Sequence, residues 1–124
     1  MLQHQNHAIM KNLGKFMYII PIGIFGLMHF ANAGQLSQMM PAWMPLKTIL
    51  VYVTGLGLIA APIALIINKK ARLAMILLAI ELLLFMVFIH LMKVIGGDEM
   101  AMGQIFKDVS LAGAAFYIAS QSEE

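Results

Sequence analysis

Apolar residues run almost unbroken through three stretches of this 124-residue chain, Phe16 to Asn32, Thr48 to Ile67 and Leu73 to Met92. Each approaches the ~20 residues that a helix rising about 1.5 Å per residue needs to cross ~30 Å of hydrocarbon. A fourth stretch, about Gly103 to Ser120, is weaker because Lys107 and Asp108 fall within its first turns. The pattern predicts an all-α polytopic membrane protein, a four-transmembrane-helix bundle. The interruptions carry the rest of the plan. Asn68 to Arg72 is short and basic and turns spans two and three into an antiparallel hairpin, while Gly96, Gly97, Asp98 and Glu99 break span three with an acidic turn. Between spans one and two, Ala33 to Leu46 holds the breakers Gly34, Pro41 and Pro45 but no charge. It reads as an interfacial or re-entrant segment, with Trp43 at the headgroup level, its ring buried and its N–H wet. The domain plan is then a polar tail or interfacial helix over 1–15, a membrane domain over 16–120 and a short tail over 121–124.

Glycine, alanine and proline punctuate the spans. Pro21, Gly23 and Gly26 in span one suit a helix packed by neighbours in lipid, with a bend expected near Pro21. In span two, Gly57, Ala60, Ala61 and Ala64 give small-residue spacing that lets another backbone come close, and Pro62 frees the carbonyl of Leu58 and predicts a kink. Ala115 and Ala119 give the last helix a similar face.

Composition strengthens the membrane reading. With 61 % hydrophobic and 11 % charged residues and a mean hydropathy of +0.86, the chain has too little polar surface to coat a soluble globule. A net charge of +2 without a basic run argues against nucleic acid. Lys11, Lys15, Lys69, Lys70 and Arg72 fall on one side of a four-span arrangement and Lys47, Lys93 and Lys107 on the other. That bias predicts both termini in the cytoplasm and residence in the inner, cytoplasmic membrane. Met1 to Lys15 lacks the short apolar core of a cleaved signal peptide. There is no cysteine, which removes disulfide exchange and thiolate-bound metal from this chain's own chemistry. No phosphate-binding glycine loop, hydrolase elbow or zinc motif occurs.

Four short runs, taken in order, resemble the DoxX-like family of small four-helix membrane proteins. They are Gly26-Leu27-Met28-His29-Phe30, Met40-Pro41-Ala42-Trp43-Met44-Pro45, Val51-Tyr52-Val53-Thr54-Gly55 and Phe106-Lys107-Asp108-Val109-Ser110-Leu111-Ala112-Gly113, and the resemblance in the order of features extends over nearly the full length. The chain departs from that family where it reads Gly55-Leu56-Gly57-Leu58-Ile59, without the acidic residue usual after the span-two glycine. The resemblance implies the four-helix fold and a membrane role such as a subunit of a quinone-linked oxidoreductase, a partner in a membrane complex or an assembly chaperone. It implies a reaction much less firmly, because one fold hosts many functions.

Three groups could carry chemistry. Glu81 lies ten residues into span three, where an ionisable side chain costs at least ~2.5 kcal/mol on insertion scales. It is either a proton-handling or ligand-binding carboxyl, or a structural acid bonded to a neighbouring helix. His29 and His90 sit near the outer ends of antiparallel spans one and three and therefore share a depth, with Trp43, Tyr52 and Lys107 in the same layer. Such a layer could form a small polar pocket facing the non-cytoplasmic side, with His29, Trp43, Tyr52 and His90 around a quinone, or more remotely two histidines on a haem. The plainer alternative has each imidazole capping an interfacial carbonyl or meeting Asp108. On a regular helix Glu81 and His90 are about half a turn out of phase and ~13 Å apart along the axis, too far for one compact site. The remaining polar and soft residues read as structural. Asp108 complements the positive end of the last helix while Lys107 snorkels, the twelve methionines pack adaptably, and His4 and His7 are solvated. No catalytic or metal-binding set emerges.

The reading that best joins these features is an accessory integral membrane protein that binds partner proteins or a lipid-like ligand without covalent chemistry of its own. A quinone-linked membrane subunit is the rival. A homo-oligomer fits either.

Overall fold

The computed structural model describes residues 2–123. Every regular element among them is helical: α1 (Leu2–Ala31), the short α2 (Ala33–Gln38), α3 (Lys47–Ile67), α4 (Ala71–Ile95) and α5 (Ala101–Ser120). Three of these, α1, α3 and α4, are long and apolar enough to cross a membrane. The chain is an integral membrane protein by that criterion. Its surface agrees, since large apolar side chains such as Leu27, Leu56, Leu77 and Leu84 are exposed along the outer faces of those helices, where lipid is a better neighbour than water.

The N-terminal residues continue the first span. Helix α1 runs unbroken from Leu2 through Pro21, so at 30 residues it is about 45 Å long and outreaches the ~30 Å of hydrocarbon. Everything from Leu2 to Gly14 is exposed. After α2, residues 39–46 are turns and irregular backbone.

Consecutive long helices pack in a row, α1 on α3, α3 on α4 and α4 on α5. Small residues set how closely they approach. A Cβ added to Gly26 would stand 2.9 Å from the Gly55 carbonyl, and one added to Gly55 would stand 3.2 Å from the Gly26 carbonyl. The two glycines therefore mark where α1 and α3 cross nearly backbone to backbone. On α5, Ala112, Ala115 and Ala119 are buried in the core with Met75, Leu78, Ala79 and Leu82 of α4. The methyl-sized stripe lets α5 lie flush on α4.

The ends are fastened by backbone geometry and one cation. Asn68, at φ 56°, ends α3 in the left-handed conformation that asparagine tolerates. Gly97, at φ 104°, turns the chain out of α4, where a side chain would be strained. Arg72, at the start of α4, donates from Nη2 to the Ser122 carbonyl at 2.8 Å and from Nε to the Ala119 carbonyl at 3.3 Å. That clamp closes one end of the α4–α5 pair. At the other end α4 is not a regular helix, because Met86–Leu91 forms a π-helical segment before α-helix resumes at Met92–Ile95. A π turn takes in one more residue than an α turn and rotates the remainder of the helix by about 100°. The half-turn phase relation between Glu81 and His90 expected of a regular helix therefore does not apply.

Candidate functional site

Because α1 and α5 stand at opposite ends of the row, they do not pack directly. A cavity of about 630 Å³ lies between them, floored by α3 and α4. Tyr18 on α1 bridges it by donating its hydroxyl to the Leu111 carbonyl on α5 at 2.5 Å. The lining changes character along the helix axes. Met17, Tyr18, Ile22, Leu82 and Leu111 line one end, while at the other His29, His90, Lys93, Asp98, Gln104, Lys107 and Asp108 stand among the apolar side chains of Leu36, Met39, Met40, Ile89 and Met100. Met17 and His29 are twelve residues apart on α1, so the gradient extends over about 18 Å.

His29 is buried where α1 crosses α3. Its Nδ1 is 2.8 Å from the Phe25 carbonyl one turn back. Phe25 meets the ring edge-on at 4.8 Å between centroids, and Phe85 of α4 lies nearly parallel to it at 6.2 Å. A carbonyl oxygen only accepts, so Nδ1 carries the proton, and Nε2 is the ring nitrogen left for whatever the cavity holds.

His90 lies inside the π segment. Its Nδ1 meets Oδ2 of Asp108, and the Lys107 ammonium is 3.5 Å from Oδ1 of the same carboxylate. Asp108 is fully buried, and its two oxygens are divided between an imidazole and a cation. It sits eight residues into α5, beyond the first turn where a helix dipole acts. The expected role of complementing the helix end therefore gives way to a buried link between α5 and α4. Lys107 in turn donates to Oε1 of Gln104 at 2.7 Å. Both histidines thus hold one ring nitrogen inside the protein, to a carbonyl or a carboxylate, an arrangement that fixes the orientation of each ring.

The other residues expected in this layer lie elsewhere. Trp43 lines an adjoining cleft that shares Met39, Met40, Ile89 and Lys93 with the cavity, against the ring of Phe88. Tyr52 stacks on Phe30 at 5.4 Å on the outer side of the α1–α3 pair and does not line the cavity. The four residues grouped by depth in the sequence therefore divide into a histidine pair that shares the cavity and two aromatics outside it. Depth does not assign Tyr18, Phe85 or Asp108 to the cavity, yet all three line it. Of these only Asp108 has a legible signal in the sequence, since it precedes Ala112, Ala115 and Ala119 by 4, 7 and 11 residues and so shares their buried stripe.

Glu81 does not line the cavity. Its carboxyl lies against Gly57 of α3, where a Cβ would collide with Oε1, and its Oε2 is buried without a hydrogen-bond partner among the described residues. Gly57 is thus the notch that admits a glutamate between two apolar helices. Among those residues no cluster of three metal-ligating side chains occurs. Comparison of the chain with protein-family models, with curated proteins and with solved structures finds no match.

Proposed function

We propose that this protein binds a lipid-like, amphipathic molecule in the cavity between α1 and α5, as a four-span accessory protein of the DoxX-like kind. The observation that carries the proposal is the placement of most polar lining groups, His29, His90 and Lys107 among them, toward one end of a largely apolar cavity. A ligand with one polar end and a chain of about 15 Å matches it. In this reading α5 is the fourth span, its buried side turning Asp108 inward, and the basic residues around Asn68 to Arg72 hold both termini in the cytoplasm, with the polar end of the cavity facing outward.

Two of the family-like runs pack together, with Gly26 and His29 of the first abutting Gly55 of the third and Phe30 of the first stacked on Tyr52 of the third. The rival reading, a quinone-binding subunit, draws on the near-parallel His29 and Phe85 rings, which make a flat wall for a planar headgroup.

The deciding experiment is extraction in native-membrane discs, followed by mass spectrometry of the organic extract. A stoichiometric amphipath that disappears in Leu111→Trp, which fills the deep end, is the expected result. An extract equally empty for wild type and variant, or a bound molecule indifferent to Leu111→Trp, would count against the cavity. Reporter fusions at both termini test the orientation.

A further inference from the structure

We propose that the polar end of the ligand is a hydroxyl group, phenolic or alcoholic, whose proton is accepted by Nε2 of His29 and which also bonds His90. This rests on the amphipath-binding cavity proposed above and names the chemistry at its polar end.

The argument is one of donors and acceptors. His29 uses Nδ1–H on the Phe25 carbonyl, so as a neutral ring it offers the cavity a lone pair at Nε2 and no proton. His90 is committed in the same way through Nδ1 to Asp108, with the Lys107 ammonium against the second carboxylate oxygen. Its Nε2 accepts when the ring is neutral and donates when it is an imidazolium. A hydroxyl both gives and takes a hydrogen bond. Its single proton satisfies neutral His29, and its oxygen then bonds His90 by accepting from Nε2–H of the imidazolium form. A ketone or an ether has no proton to give, and against neutral His29 it would leave two lone pairs facing each other at a buried imidazole, where an unmade hydrogen bond is expensive. Within the quinone reading the same logic selects the dihydroxy form over the diketone.

Of the donors that share this end of the cavity with His29, Lys107 is held by Gln104 and Asp108, and Lys93 stands on α4 beyond His90. Phe25 and Phe85 occupy its edge and one face, and the cavity hydroxyls nearest along α3 and α1 are spent internally, that of Thr54 on the Val51 carbonyl at 2.9 Å and that of Tyr18 on Leu111.

The test uses the intact protein in phosphatidylcholine nanodiscs and two probes of one shape, 4-decylphenol and its methyl ether 4-decylanisole, with empty nanodiscs correcting for partition. Saturation binding to wild type is expected to be at least tenfold tighter for the phenol, with the ratio falling toward one in His29→Phe while the ether still binds. Equal, saturable binding of both probes to wild type overturns the hydroxyl inference and leaves the amphipath cavity standing. Absence of saturable binding for either overturns both. A phenol preference that survives His29→Phe and His90→Phe alike shows the proton to be taken elsewhere and also overturns the inference. The wild-type ratio stands as a test even where a variant fails to fold.

Discussion

Gly55 and His29 touch as closely as two helices allow, since a Cβ on Gly55 would fall 2.6 Å from the Cβ of His29. The glycine on α3 thus determines where the imidazole on α1 can stand, and with it the wall of the cavity. Substituting Gly55→Ala should push α1 outward and lower stability by about 1–3 kcal/mol, the usual cost of overpacking. Gly103 and Gly113 on α5 have nothing within 4 Å of an added Cβ, so Gly103→Ala and Gly113→Ala should be neutral or gain up to about 1 kcal/mol from helix propensity. Thermal unfolding of the three variants side by side checks the opposite signs.

The link between Asp108 and His90 joins two helices through buried polar atoms, and removing one partner strands the other. Asp108→Ala is expected to cost on the order of 3 kcal/mol, because it leaves His90 and Lys107 without their acceptor. Adding His90→Phe to that variant should recover part of the loss. Unfolding free energies for both single variants and the double, taken as a cycle, measure the coupling; additivity would mean that the contact contributes nothing.

Glu81 and Gly57 are expected to be coupled in the same sense but for a steric reason. Gly57→Ala should destabilise the protein when Glu81 is present and do little in a Glu81→Ala background, because the three atoms nearest the added methyl all belong to the Glu81 carboxyl. Glu81→Met should be tolerated or mildly stabilising, since it removes a buried oxygen that has no partner. Unfolding midpoints of these variants check both statements.

The first helix divides into a packed half and a bare half. Residues from Leu2 to Gly14 are exposed and buried core positions begin at Ile19, so deletion of residues 2–13 should leave the melting temperature almost unchanged. Hydrogen exchange should find the amides of this segment far less protected than those around Ile19 and Ile22.

The lengths and apolarity of α1, α3 and α4 were legible in the sequence, because hydrocarbon thickness imposes a minimum run of apolar residues that no other feature of a 124-residue chain imitates. The breaks at Asn68 to Arg72 and at Gly96 to Glu99 were legible for a related reason, since charge is costly inside a span. His29 and His90 line one cavity, in keeping with the equal depth expected of them on antiparallel helices, a one-dimensional property.

Rotation about each helix axis was not legible, and it decides the remainder. Trp43 and Tyr52 share the histidines' depth but face elsewhere, which depth alone does not reveal. The π segment at Met86–Leu91 has no signature in residue type, and it resets the phase of α4 between Glu81 and His90. Asp108, read along the chain, is an acid near a helix start; on the packed bundle it is a fully buried partner of His90. The sequence by itself determined that these helices lie in lipid and in what order they cross it, because burial in hydrocarbon is a property of each segment alone. Which side chains meet, and therefore the cavity and its two anchored imidazoles, was decided only by the tertiary packing, because contact depends on the rotation and closeness of helices that are distant in sequence.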